Sequence, residues 1–275
     1  MVKLAVNVKK GEETMRYIRL KSGLQHEQVL NRLFYQPEII ELHLEEKQLY
    51  QPDLIVRAIQ FLKAKGVRVY LHHPTTFQGK HLDIISPSQE MRNHYDWSCK
   101  LLASICRMED VKCVIHCHYK VLDAHDYVNV ANRALMRGRI EEVLRICDKS
   151  FLWEDTTAGI FSAQNPYLLD EIVEPLQLPL TIDLSHSFIS LNGDNKRLKE
   201  HLDAFHPYAN YFHVVDSSGL RHDSLPLGEG KIDWKMVKPY LKDRDFIFEI
   251  DLRASNYIDC SPMIESGVYF DKISG

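Results

Sequence analysis

The feature that most constrains the fold is a regular alternation of short apolar runs with longer helical segments. Runs rich in Val, Ile, Leu and Phe are typical of buried strands, and strands that alternate with helices form parallel sheets covered by those helices. The eight runs interpreted as strands are KLAVNV (3–8), IIELHL (39–44), VRVYLHH (67–73), VKCVIHCH (111–118), SFLWEDT (150–156), PLTIDLS (179–185), NYFHVVD (210–216) and DFIFEID (245–251).

The chain length favours one closed barrel. The 275 residues are 45% hydrophobic, enough to bury one large core. Eight strand–helix units within this length predict a single (βα)8 TIM-barrel domain over residues 1–275. An open doubly wound sheet is the alternative, but no Gly-x-Gly-x-x-Gly follows the first strand. Two helix candidates are PDLIVRAIQFLKAKG (52–66), with a proline at its start and a glycine at its end, and EEVLRICDKS (141–150).

Charge and hydropathy narrow the choice of partners. The chain has 34 Lys and Arg against 38 Asp and Glu, a net charge of -4, which disfavours a nucleic-acid partner without excluding one. No run of 18 apolar residues occurs, and the apolar stretch at the N-terminus is too short for a signal peptide. We therefore expect a cytoplasmic protein with no membrane partner. A homo-oligomer stays open.

Polar residues interrupt the apolar strands near their C-terminal ends. In a barrel of this kind all of these ends meet at one mouth, where substrates bind. The polar residues at these positions are His72, His73, His116, His118, Glu154, Asp183, His186, His213 and Glu249.

Three carboxylates in one barrel mouth predict a cation. Glu154, Asp183 and Glu249 would repel one another, and burying them ionised and unpaired costs several kcal/mol. A divalent metal held by these three residues and His213 removes the conflict. Oxygen-rich ligands with one imidazole suit Mn²⁺, Co²⁺, Mg²⁺ or Zn²⁺, so the identity of the metal stays open.

The other strand-end histidines are ambiguous when taken one at a time. His72, His73, His118 and His43 could each be a structural histidine that is satisfied by a hydrogen bond. Period-2 alternation places His116 and His118 on the same strand face as Val114, so neither of them packs against the outer helices together with Cys113.

Several short motifs resemble those of one family. WEDTTAG (153–159), TIDLSHSF (181–188), FHVVDSS (212–218), PLGEGKIDW (226–234) and FEID (248–251) are together similar to the xylose isomerase-like TIM-barrel superfamily. This superfamily includes sugar isomerases and epimerases, and also the endonuclease IV type of apurinic endonuclease (AP endonuclease family 2). The likeness spans about residues 3–255.

The resemblance implies a role for each matching residue. Glu154, Asp183, His213 and Glu249 would bind the central metal, and His186 would lie within reach of the metal or substrate. In the isomerases and epimerases two metal-bound glutamates exchange a proton with a sugar, which here would be Glu154 and Glu249. The leading expectation is therefore an isomerase or epimerase that acts on a sugar or sugar phosphate.

One further residue is assigned to the substrate from its position after the last predicted strand. Arg253 follows Glu249 by four residues, and a guanidinium there could bind a phosphate or carboxylate of the substrate. A surface salt bridge accounts for it equally well.

The alternative is an endonuclease IV-like phosphodiesterase that acts on abasic-site DNA. LHHPTT (71–76), VIHCH (114–118) and DIISPSQEMR (83–92) resemble segments of those enzymes. The likeness implies that His72 and His116 hold a second metal beside the first, for example as two zinc ions. A barrel that binds a ligand without catalysis is a third class.

Two observations place the isomerase first. The net charge is acidic, and Ser224 stands where the repair enzymes place a histidine ligand of a third zinc. His222, two residues earlier, could still reach the substrate or that ligand position.

Overall fold

The computed structural model describes residues 18–118, 123 and 125–274. Eight parallel strands close into a barrel in the order β1-β10-β9-β8-β7-β6-β3-β2, and a two-stranded hairpin, β4-β5, lies apart from it. The strands are β1 (Arg19–Ser22), β2 (Ile39–His43), β3 (Arg68–His72), β4 (Thr76–Phe77), β5 (Lys80–His81), β6 (Lys112–His116), β7 (Phe151–Glu154), β8 (Leu180–Asp183), β9 (Ala209–Val214) and β10 (Asp245–Phe248).

The predicted (βα)8 barrel is confirmed, with one change at its start. Seven of the predicted strands coincide with β2, β3, β6, β7, β8, β9 and β10. The predicted strand at 3–8 lies outside the described residues. The eighth barrel strand is instead β1, which pairs with β2 from Arg19–Ile39 to Ser22–Leu42 and with β10 at Leu20–Phe248.

Helices follow most strands and cover the barrel. The predicted helix at 52–66 is α3, with Pro52 in its first turn, and Gly66 beyond its end has a φ of 79°. No described helix is long and apolar enough to span a membrane. The α-helices are α1 (His26–Phe34), α2 (Glu46–Leu49), α3 (Pro52–Lys63), α4 (Gln89–Glu109), α5 (Val130–Cys147), α6 (Glu174–Leu176), α7 (Leu184–Ser190), α8 (Asn195–Phe205), α9 (Trp234–Val237) and α10 (Ser261–Lys272).

Near the C-terminal mouth, side chains inside the barrel lie in two layers. The lower layer is apolar and consists of Ile39, Val114, Leu152, Tyr211 and Ile247, with Tyr70 packed against it. Successive inward-facing residues on a strand are two positions apart. The residues two positions further along these strands are Glu41, His72, His116, Glu154, His213 and Glu249. The upper, polar layer is therefore supported by an apolar plug.

A buried histidine outside the barrel predicts acid sensitivity. His201 on α8 stacks against Phe205 with ring centroids 4.2 Å apart, and burial lowers its pKa to about 4. As the pH falls, His201 becomes protonated in the unfolded chain before it does in the folded protein. Stability is therefore lost as the pH falls from about 6.5 towards 4. We expect the free energy of unfolding to fall between pH 7 and pH 5 in the wild type by about 2 kcal/mol more than in His201→Leu. Urea titrations at the two pH values measure the difference.

The comparison isolates His201 because the other buried histidines are present in both proteins. An equal loss of stability in the wild type and in His201→Leu would contradict the assignment of the acid sensitivity to this residue.

Candidate metal centre

Strand register brings the predicted site residues together. His116 on β6 is directly opposite Glu154 on β7, and Asp183 on β8 is directly opposite His213 on β9. Glu249 follows β10, and its backbone N–H donates to the carbonyl of Val214. Because all the strands run in parallel, these side chains converge at the C-terminal mouth of the barrel.

Four of the predicted ligands form one cluster. The donor atoms of Glu154, Asp183, His213 and Glu249 all lie within 4.8 Å of one another. His213 Nδ1 lies 2.6 Å from Glu249 Oε2, 3.0 Å from Glu154 Oε1 and 3.7 Å from Asp183 Oδ2. A ring nitrogen carries at most one proton and cannot donate fully to three carboxylates at once. The donor set therefore fits a cation held among these oxygens.

A second cluster shares Glu154 with the first. His72, His116 and Glu154 also have donor atoms within 4.8 Å of one another. Glu154 Oε2 lies 2.9 Å from His116 Nε2 and 3.2 Å from His72 Nε2, whereas its Oε1 faces His213. The two oxygens of one carboxylate thus point into two different groups of nitrogen and oxygen donors.

The hydrogen bonds of His72 indicate a second cation position. His72 Nδ1 lies 2.8 Å from the carbonyl oxygen of His73, which only accepts, so Nδ1 carries the proton. In the neutral ring, Nε2 then presents a lone pair to the Glu154 carboxylate. Two acceptors 3.2 Å apart repel each other, and a cation between them would remove the repulsion.

The charges in the first cluster are strongly coupled. Burial disfavours the charged forms, but the imidazoles of His116 and His213 hold the pKa of Glu154 well below its usual range. Burial likewise opposes the imidazolium of His213, yet the carboxylates of Glu154, Glu41 and Glu249 raise its pKa well above the ordinary value. The cluster attracts positive charge, as a site for a divalent cation must.

His186 and His222 meet beside the first cluster. Their Nε2 atoms are 3.2 Å apart, and Ser224 Oγ lies 3.5 Å from His222 Nε2. His186 Nδ1 donates to the carbonyl of Asp155 at 2.9 Å, so its Nε2 is free to accept or to bind a ligand. The loop after β9 therefore brings His222, rather than Ser224, against the predicted strand-end histidine.

Two other predicted site residues lie apart from both clusters. His118 Nε2 accepts from the backbone N–H of Phe161 at 3.4 Å, and burial lowers its pKa to about 3, which describes a structural histidine. Arg253 lies beyond the end of β10, where strand alternation no longer applies. Its guanidinium pairs with Asp251 and stays largely exposed.

Sequence reasoning missed two residues of this site, Lys21 and Glu41. Lys21 Nζ forms an ion pair with Glu249 and lies 3.4 Å from Glu41 Oε1. Glu41 Oε2 lies 2.9 Å from His213 Nε2. The signal for Glu41 is a single acidic residue inside the apolar run IIELHL. Lys21 carried no such signal, because the polar strand RLKS does not resemble a buried strand.

A cavity of about 630 Å³ opens beside the first cluster. Its lining includes Lys21, Glu249, His222, Ser224 and Arg253. Asp251 and Glu249 pair with the two cations among these residues. The cavity is large enough for a sugar-sized group next to the clustered carboxylates.

Asp216 organises the loop that carries His222. Its carboxylate accepts from the backbone N–H groups of Ser217, Gly228 and Ile232 and from the Trp234 indole N–H. These four bonds tie both ends of the long loop after β9 to one buried acid.

Gly230 has no room for a side chain beside this acid. A Cβ there would lie 2.1 Å from Asp216 Oδ1 and 2.5 Å from the carbonyl oxygen of Ser217. We expect Gly230→Ala to lower the free energy of unfolding by about 1–3 kcal/mol in urea titrations, because Asp216 must move. Gly138→Ala, where a Cβ meets nothing within 4 Å in α5, is the matched control and should not destabilise. Equal effects of the two substitutions would contradict this account.

A family model described as xylose isomerase-like TIM barrel matches residues 38–259. The chain belongs to this family. Its membership agrees with the closed eight-stranded barrel and with the motifs that carried the resemblance. The matched residues include all the candidate metal ligands. Lys21 lies before the start of the match.

Two solved structures are similar to this chain over most of its length. A D-tagatose 3-epimerase-like protein has a TM-score of 0.73 at 16% identity, with 93% of this chain and 96% of that chain covered. A Thermus thermophilus protein soaked with ZnCl2 has a TM-score of 0.68 at 17% identity, with coverages of 94% and 97%. These TM-scores establish the shared fold.

The curated relative is named Probable endonuclease 4, from Protochlamydia amoebophila strain UWE25. It is 31% identical over 127 residues, which span 42% of this chain and 44% of the relative. The chain is thus matched over less than half of that relative's length.

Proposed function

We propose that this xylose isomerase-like barrel is a metal-dependent phosphodiester hydrolase with two divalent cations in its mouth. The observation that supports this most is the placement of Glu154, whose Oε1 faces His213 and whose Oε2 faces His72 and His116. A carboxylate between two donor groups is the arrangement found where one acid bridges two metal ions.

The first cation would be held by Glu154, Asp183, His213 and Glu249, and the second by His72, His116 and Glu154. The imidazole nitrogens of the second group suit Zn²⁺. When bound, the two cations would polarise a phosphodiester and neutralise the charge that develops on its oxygens.

The chain's own residues would orient the substrate. The cavity beside Glu249 would receive one of the groups attached to the phosphorus, with Lys21 and His222 along its wall. His186 Nε2 and His222 Nε2 face each other 3.2 Å apart and would hold a third cation between them. Ser224 in place of a histidine was one reason to rank the isomerase first. Because His222 lies next to His186, that reason is weaker than the sequence suggested.

A sugar isomerase or epimerase is the second candidate. It is supported by Glu249, whose side chain is 25% exposed and lines the cavity. An epimerase needs both glutamates free to exchange protons with the substrate. Glu154 is fully buried, and both of its oxygens already contact histidines, so it is a poorer general base than Glu249.

The deciding experiment compares the two reactions with the same metal-loaded protein. We expect about two zinc ions per chain by elemental analysis, hydrolysis of bis(p-nitrophenyl) phosphate, and nicking of a duplex that contains an abasic site. One bound metal, with exchange of solvent deuterium into D-tagatose or D-fructose and no phosphodiester cleavage, would replace the hydrolase with the epimerase.

A further inference from the structure

Four side chains, two of them from the first cluster, form a closed ring of polar contacts. Lys21 Nζ pairs with Glu249 Oε1, and Glu249 Oε2 lies 2.6 Å from His213 Nδ1. His213 Nε2 lies 2.9 Å from Glu41 Oε2, and Glu41 Oε1 returns to Lys21 Nζ at 3.4 Å. The members come from β1, β2, β9 and the end of β10, so the ring crosses the barrel mouth.

Glu41 is the one carboxylate of this ring that the proposed cation contacts do not explain. It is fully buried on the inner face of β2, two positions beyond Ile39 of the apolar plug. A buried carboxylate without partners costs several kcal/mol, and here Lys21 and His213 are the groups that compensate it. Its position is specific, because its two oxygens face two different partners.

The contact between Glu41 and His213 sets the tautomer of the imidazole. An ionised carboxylate only accepts hydrogen bonds, so the Nε2 atom of His213 carries a proton and donates it to Glu41. The neutral ring then has its lone pair on Nδ1. That atom faces the carboxylates of Glu154, Asp183 and Glu249.

We propose that Glu41, held in place by Lys21, is a positioning residue that fixes the tautomer and the orientation of His213 for metal binding at Nδ1. This inference rests on the metal ligation in the proposed function. A carboxylate behind a metal-bound histidine orients the ring and raises its basicity, and loss of such a partner weakens metal affinity. Lys21 also holds Oε1 of Glu249, so that Oε2 of Glu249 is directed at the same cluster.

The test measures metal affinity, not only activity. In chelator competition with Zn²⁺, we expect Glu41→Gln to weaken the binding of the first zinc by about 10- to 100-fold relative to the wild type. Glu38→Gln is the matched control, because Glu38 lies just before the same strand at the other end of the barrel, in ion pairs with Arg19 and Arg68. It should change stability without changing zinc affinity.

The outcomes separate this inference from the proposed function. If the wild type binds no zinc, the proposed metal centre fails. If the wild type binds zinc and Glu41→Gln binds it within about twofold as tightly, Glu41 is not a positioning residue, since a real one costs at least tenfold.

A second measurement needs no substitution at Glu41, in case that variant does not fold. In zinc-loaded wild type with ¹⁵N-labelled histidine, we expect the Nε2 signal of His213 to show a directly bonded proton, with the signal assigned by its loss in His213→Asn. A zinc-bound Nε2 without a proton would overturn the inference.

Discussion

Replacing Glu154 with Gln is expected to abolish hydrolysis and to reduce the bound zinc from two ions to at most one. The amide is isosteric but cannot supply a charged oxygen to both clusters. Removing one group that stabilises the transition state directly lowers kcat by roughly 10²–10³-fold, and here both cations lose a ligand, so a loss of about a thousandfold or more is expected. Activity on bis(p-nitrophenyl) phosphate and elemental analysis measure the two effects.

The control for this prediction is a carboxylate on the outside of the barrel. Glu171 forms an ion pair with Arg133 and belongs to neither cluster, and Glu171→Gln should keep both the metal content and the activity of the wild type. Two bound zinc ions in Glu154→Gln would show that the carboxylate does not bridge the two sites.

The second large effect is expected from His116→Ala, which separates a two-metal enzyme from a one-metal enzyme. His116 contributes to the second cluster and not to the first. We expect one zinc ion to remain in the variant and phosphodiester hydrolysis to fall by about a hundredfold or more. Zinc stoichiometry and kcat on bis(p-nitrophenyl) phosphate are the measurements.

The opposite result would favour the epimerase. A sugar epimerase that uses only the first cluster should keep most of its activity in His116→Ala. His206→Ala is the matched control, because His206 precedes β9 at the far end of the barrel and bonds the carbonyl of Tyr240. It should leave both zinc ions in place.

Strand alternation accounts for most of what the sequence predicted. An apolar residue such as Leu152 or Ile247 faces the barrel interior, and the residue two positions later, Glu154 or Glu249, must face the same way. Three carboxylates at such positions favoured a shared site with a cation. The cluster of Glu154, Asp183, His213 and Glu249 follows from that argument.

The features that the sequence did not predict depend on contacts distant along the chain. Strand β1 reads RLKS and becomes a barrel strand only because β2 and β10 flank it, so Lys21 was not considered. His222 reaches His186 because Asp216 folds the intervening loop, which no local pattern encodes. Arg253 was assigned to the site from its position after the last predicted strand, and it lines the cavity while its guanidinium pairs with Asp251.

Because the apolar plug lies beneath the polar layer, the site at the barrel mouth opens only on its C-terminal side. Val114, Leu152, Tyr211 and Ile247 pack across the barrel below Glu154. Ions, water, substrate and product would therefore share one entrance. In the proposed hydrolase, an anion seated in the cavity beside Glu249 would slow the exchange of the neighbouring ions until it leaves.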